Sequence, residues 1–382
     1  MRLAVVCNAA AGHGGARRVL EECVRPRLRG AEPVAYYETD AETGARRAGE
    51  ALARDPPPGV VVLGGDGTLH ELLEGVLGDG ERLDRPMTVV LVPTGTANAM
   101  YASLYRPALP AGTDDDDAWR LAALDALDTA PAQPLTLMRV HTPAAHLACV
   151  VASHALHAAI LRDSEALRAT HPGLERFQIA AQQNAGTWSE ARLVLHGGTR
   201  GVQLYSPHTD AFEDVGEAYA RTDGAVIVEG PFAYMNAMTV ERLEPAFVPA
   251  PFASGHAQPS LRRPHDALDV VVVRPARSPR FSADADAAQR RAFGEGPLSR
   301  VLFEGMYREG AHVAFVYAPD GAVRPSGPGT PVVEYFRAAG YTWEPRAADR
   351  GARTTCIDGT VVDAPSVHVR ALGDTSLFVR AR

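Results

Sequence analysis

Residues 3–7 form a short apolar run that stops at Asn8, and Gly12, Gly14 and Gly15 follow before a helically spaced apolar stretch over residues 16–24. The segment reads strand, glycine loop, helix. Residues 34–37 predict a second strand, 43–53 a helix, and 60–63 a buried strand that runs into Gly64-Gly65-Asp66-Gly67-Thr68. A helix over 69–77 comes next. Residues 87–92 are a further β-branched run ending at Pro93, with Gly95 and Asn98 beyond it. Strands that alternate with helices predict a parallel, doubly wound sheet with helices on both faces.

From about residue 134 the pattern changes. Short strand-like runs at 135–140, 147–152, 192–195, 225–229, 268–274, 311–317 and 354–357 are separated by Gly, Pro and Asp, and the best helical stretches are 162–169 and 298–307. We expect a mainly antiparallel β-sandwich second domain. The expected division is 1–133 for an α/β nucleotide-binding domain and 134–382 for a β-rich domain, its last strand a candidate to return to the first. Residues 275–296 read as a long loop or crossover, and Asp114 to Asp117 as a solvated surface loop.

Length fits two domains. Thirty-eight basic residues against 46 acids give a net charge of −8 with no basic half, which argues against nucleic acid as a partner. Every basic residue is Arg. The absence of Lys excludes Walker A loops, protein kinases and Schiff-base enzymes, so a phosphate grip falls to backbone N–H groups, Arg, hydroxyls or a metal. Four scattered Cys argue against a disulfide framework or zinc site and for a reducing compartment. No run has the length of a signal h-region or a transmembrane segment, and the expectation is a cytoplasmic protein.

Three loops fall at the carboxyl ends of predicted strands, where sheets of this kind bind ligands. The strongest is Gly64 to Thr68. Its glycines let backbone N–H groups approach an anion, and the helix that follows points its positive end the same way. Asp66 there can orient a metal-bound phosphate or act as base for an attacking hydroxyl; a tight turn with Asp66 as helix cap is the plainer alternative. Pro93-Thr94-Gly95-Thr96-Ala97-Asn98 supplies hydroxyls and an amide, and Asn8 to Gly15 has the spacing of a phosphate cradle without being GxGxxG. The histidines show no metal-ligand spacing, and the three Trp read as packing residues.

Together, Gly-Gly-Asp-Gly-Thr with Leu69-His70-Glu71 and Gly75, the Pro-x-Gly-x-x-Asn loop, and the Asn-plus-glycines loop resemble the catalytic domain shared by diacylglycerol and sphingosine kinases. His70-Glu71 and Asn98-Ala99-Met100 lean towards the sphingoid-base and ceramide side. Asp163-Ser164-Glu165, Arg168, Arg176-Phe177 and Ile357-Asp358-Gly359 are similar to later motifs of that family. The resemblance implies an ATP- and Mg²⁺-dependent lipid kinase that passes the γ-phosphate to a primary hydroxyl. Asp66 would be catalytic. Asn8, Thr39, Gly65, Asp66, Gly67, Glu71 and Thr96 would line the nucleotide, Arg168 and Arg176 would reach its phosphates from the second domain, and Asp358 would help from the return segment. Mg²⁺ would be held through the ATP phosphates.

Four positions depart from the family's pattern. Ala9 replaces the usual Pro, Thr360 stands where the Asp-Gly-Glu motif has Glu, and Ala159 and Leu161 stand where sphingosine kinases carry head-group acids, leaving Asp163 as a weak substitute. A neutral head group therefore stays open beside the sphingoid base. Binding to a membrane surface would be peripheral. The alternatives are a kinase for a soluble acceptor such as NAD, and a nucleotide- or lipid-binding homologue without turnover.

Overall fold

Six consecutive buried residues can be covered on both faces only inside a sheet that is packed on both sides. The third strand of the chain has that character throughout, and the first over five of its six residues. In the computed structural model, β1 (Leu3–Asn8), β2 (Pro33–Thr39), β3 (Gly59–Gly64) and β4 (Met87–Pro93) pair in parallel in the order β2-β1-β3-β4. The strand Leu377–Arg380 runs parallel to β4 on its other side, and Ala132–Pro134 closes the sheet antiparallel to it. The structure describes residues 2–28, 33–39, 44–106, 117–127, 129–171, 173, 175–346 and 350–380. Of the expected acidic loop at Asp114 to Asp117, all but Asp117, the first residue of the helix Asp117–Asp125, lies outside them.

The chain divides into two units. The first comprises Met1–Met138, Arg242–Pro245 and Leu372–Arg382, and the second Arg139–Glu241 and Ala246–Ala371. In the first, the helices Gly44–Arg54 and Asp66–Leu77 pack against each other at unusually close range. A side chain on Gly75 would overlap the Arg46 carbonyl oxygen, and one on Gly49 the Leu72 carbonyl oxygen. Glycine at both crossing points lets backbone lie on backbone.

The second unit holds an eight-stranded and a seven-stranded sheet in which the registered pairs are antiparallel. Their inner faces meet where His154 stacks on Trp343, ring centroids 4.3 Å apart, with His154 Nε2 3.1 Å from the Tyr341 hydroxyl. Period-two burial along Ala191–His196 shows one face inward and one wet. Two buried ion pairs lie in this unit, Arg337 with Asp269 at 3.0 Å and Arg274 with Glu334 at 2.6 Å.

Several local expectations need correction. Residues 147–152 do not make one strand: Ala145–Ala148 and Val151–His154 are separate, because the N–H groups of Cys149, Val150 and Val151 turn to a carboxylate instead of a ladder partner. Residues 311–317 start as a 3₁₀ turn, Ala311–Ala314, entered through Gly310 at φ 80°, before the short strand Val316–Tyr317. The expected loop at 275–296 contains the helix Ala287–Phe293, which opens on a capping box between Asp286 and Gln289. The helix Glu175–Gln183 was not expected at all.

Two histidines in this unit are fully buried. Burial pushes the imidazoles of His154 and His312 down to about 3. An unfolded imidazole titrates near 6.5, so below that pH the unfolded chain binds more protons than the native one and stability falls with pH. The expected loss is roughly 2 kcal/mol for each group by pH 5. Urea midpoints at pH 7, 6 and 5 should therefore decline, and the slope should flatten in His312→Gln; a midpoint indifferent to pH over that range would contradict it.

Candidate active site

The parallel register brings the chemistry-bearing loops to one edge of the first sheet. Asn8 and Thr39 are register partners at the ends of β1 and β2, and Gly64 and Pro93 at the ends of β3 and β4. Asn8 donates from Nδ2 to Thr68 Oγ1 at 2.8 Å and accepts Ala10 N–H on Oδ1, tying the first loop to the start of the helix after β3. Gly12, at φ 57°, lies where any side chain would overlap the Thr94 carbonyl oxygen. A side chain on Gly65 would meet Gly95 Cα at 3.0 Å. All three loops thus touch through backbone, and glycine is required at each contact.

Asn98 has left-handed backbone, φ 52°, and closes the Pro93 loop on itself: Gly95 N–H donates to Oδ1 at 3.0 Å and Nδ2 donates to the Gly95 carbonyl at 2.9 Å. Asp66 opens the helix Asp66–Leu77 and turns its carboxylate onto the next one. Oδ2 accepts Ala99 N–H at 2.8 Å and Oδ1 accepts Met100 N–H at 3.0 Å. Asp66 is therefore not the cap of its own helix, whose N-cap is Gly65 without a side-chain bond; it holds the first N–H groups of Ala99–Leu104 instead. Glu71 accepts Ala45 N–H at 2.9 Å, capping Gly44–Arg54, the helix that follows β2.

Gly67 and Thr96 are exposed, and a Cβ on Gly67 would enter open space. The Thr94 hydroxyl is buried with no hydrogen-bond partner among the described residues. A nucleotide phosphate or ribose fits this donor set of backbone amides, an orphaned hydroxyl and a helix N-terminus. The sequence reading named Thr68 and Thr94 within their loops and gave neither a role of its own; their position beside glycines at strand ends was the available signal. Among the described residues no group of three or more His, Cys, Asp or Glu could hold a metal.

In the second unit, Arg168 follows the helix Ala155–Leu167 and Arg176 lies in the first turn of Glu175–Gln183, two helices packed together. Arg168 pairs with Glu165 at 2.9 Å on the surface, and Arg176 lies over the Phe177 ring, 4.6 Å from its centroid. Burial first, and then the Arg168 charge, lower the Arg176 guanidinium pKa, so the two cations lie close enough to feel each other. Asp163 is gripped by Arg162, Nε to Oδ1 at 2.6 Å and Nη2 to Oδ2 at 2.9 Å, and receives Asn184 Nδ2 at 2.8 Å. Those bonds, Arg162 foremost, hold its carboxyl below the usual range.

Asp358 belongs to the second unit and not to the segment that returns to the first. With Gly359 it forms the two-residue turn between Thr354–Ile357 and Thr360–Asp363, at φ 46° and 96°. Its carboxylate accepts three backbone N–H groups, from Cys149 at 2.6 Å, Val150 at 2.9 Å and Val151 at 2.8 Å. Thr360 is exposed.

Residues 2–140 match the model of the diacylglycerol kinase catalytic domain. By class, the chain is a lipid kinase enzyme. Among curated proteins none matches the sequence. The fold is similar to solved structures from Bacillus anthracis strain Sterne. Two are provisionally named diacylglycerol kinases, at 12% and 13% identity and TM-scores of 0.61 and 0.60. A third, a diacylglycerol kinase, is at 12% and 0.54. Each comparison covers 100% of this chain and 97% of the other. At that identity the likeness speaks for the fold, a mixed α/β chain with a parallel sheet and antiparallel sheets.

Proposed function

We propose that the protein transfers the γ-phosphoryl group of Mg²⁺-ATP to a primary hydroxyl of a lipid with an uncharged head group, such as a diacylglycerol or ceramide. The observation that carries the kinase reading is the convergence of the Asn8, Gly64 and Pro93 loops at neighbouring strand ends, locked by Asn8–Thr68, Gly12–Thr94 and Gly65–Gly95 contacts. Phosphoryl transfer needs positioned donors and charge neutralisation more than covalent help. Asn8, Thr39, Gly65, Gly67, Glu71 and Thr96 are assigned to the nucleotide, and Asp66 to the acceptor hydroxyl. Arg168 and Arg176 are assigned to an anion: one between the two cations relieves their repulsion, and an exposed ion pair such as Arg168–Glu165 is worth only about 0–1 kcal/mol to break. Mg²⁺, held through the phosphates, would supply further neutralisation. Asp358 acts by fixing residues 149–151.

The uncharged acceptor rests on Asp163, whose charge is already matched by the two-pronged grip of Arg162, with Asn184 adding a third bond. An ammonium head group would be desolvated there without a counter-charge. A lipid acceptor implies peripheral contact with a membrane surface; no described helix is long and apolar enough to cross one.

Purified protein given Mg²⁺ and γ-labelled ATP should label diacylglycerol or ceramide, and a sphingoid base at least about tenfold less efficiently, the size of one lost charge pairing. Arg162→Gln frees Asp163 and should narrow that ratio. Label in NAD would favour the soluble-acceptor reading, and nucleotide-dependent stabilisation without any labelled product the non-catalytic one.

A further inference from the structure

The seven-stranded sheet of the second unit carries a grouping that the kinase reading leaves unused. His196 ends the strand Ala191–His196, Thr342 lies in Gly340–Pro345, and His368 lies in Val367–Leu372. The middle strand pairs with both neighbours, Thr342 directly opposite His368 and Gly340 opposite His196. Residues two apart share a face. Gly340 has no side chain on that face, which leaves room for the His196 ring to lean towards Thr342. Both rings converge on one atom: His196 Nε2 is 2.9 Å and His368 Nδ1 2.7 Å from Thr342 Oγ1. Their centroids are 5.5 Å apart, and His368 is exposed.

We propose that His196 and His368, with the Thr342 hydroxyl at a third corner, form a surface site for a divalent zinc-type ion. A hydroxyl has one proton, so it donates to one of the two ring nitrogens and accepts an N–H from the other. Moving that ring proton to the opposite nitrogen of the same imidazole leaves a lone pair on each of the two nitrogens that face Thr342 Oγ1, and an ion would enter between the three atoms. With zinc–nitrogen bonds of about 2.1 Å each centroid lies about 3.2 Å from the ion, so rings at the observed separation subtend roughly 120° there, near the angle a four-coordinate site needs. Ligand atoms around such an ion lie about 3.3 Å apart, so the nitrogen–oxygen spacings must open by about half an ångström. All three residues sit on paired strands, which hold ligands better than loops do. Water completes the coordination; the charged residues nearest in register are Arg370, opposite Gly340, and Glu344, opposite Arg192.

The test is calorimetric titration of the full, tag-free chain with zinc chloride, with magnesium chloride as control. One zinc per chain is expected, with magnesium not competing. His368→Ala removes an exposed ring and should fold; it should weaken zinc binding by about tenfold or more, no less than loss of a supporting contact costs. His196→Gln should do the same. Phosphoryl transfer from Mg²⁺-ATP should be unchanged in His368→Ala, which separates this site from the kinase reading. Absence of saturable zinc uptake up to about millimolar concentration, the level at which weak surface contacts already bind, or uptake undiminished in His368→Ala, would overturn the proposal.

Discussion

Asp66→Asn is expected to lower kcat/KM for lipid phosphorylation by about 10³-fold, the scale of losing a positioned electrostatic group, while the chain stays folded. In the native protein both carboxylate oxygens are engaged by the N–H groups of Ala99 and Met100. An asparagine keeps one acceptor and turns an NH₂ towards the second N–H, so the stability cost should be about 1 kcal/mol, that of one capping bond. The catalytic cost is larger because the same carboxylate fixes the Pro93 loop against the glycine turn and is the only acid within that turn. Product formation and thermal unfolding measured on one preparation separate the two effects. Turnover within tenfold of wild type would remove Asp66 from the chemistry and leave it as a cap.

The largest expected stability change is at Gly75. Gly75→Ala places a methyl group on the Arg46 carbonyl oxygen, which is backbone and cannot swing aside, so the helices Gly44–Arg54 and Asp66–Leu77 must separate. We expect a loss of about 3–4 kcal/mol, read as a shift in urea midpoint. Asp66 heads the second of these helices, so activity should fall with the packing. Gly67→Ala is the contrast: its Cβ meets nothing within 4 Å, so stability should hold while the Michaelis constant for ATP rises. If both variants melt like wild type, the close crossing is not where this unit draws its stability.

What could be read from the chain follows from how local each signal is. The strands at residues 3–7, 60–63 and 87–92 were legible because a fully buried parallel strand leaves an unbroken apolar run. The glycine turn after β3 was legible because its backbone demand is written in consecutive residues. The capping box at Asp286 and Gln289 was also present in the sequence, and was passed over inside a stretch read as a loop. Other features depend on distant partners. Nothing near Asp358 says that its carboxylate will gather the N–H groups of residues 149–151, about two hundred positions earlier. Nothing near Asp163 marks Asn184 as its partner, although Arg162 beside it was open to view. The helix Glu175–Gln183 escaped because only Ala180 among its residues is buried, so it has almost no apolar stripe to find.

The strand Leu377–Arg380 lies between β4 and Ala132–Pro134, yet the ribosome makes it after the whole second unit. During synthesis, β4 therefore waits with a bare flank of hydrogen-bonding groups while more than two hundred residues emerge. A nascent chain in that condition is a target for strand exchange with its neighbours, so the emergence of that late strand, and not the early formation of the glycine turn, sets the moment at which the first sheet can close.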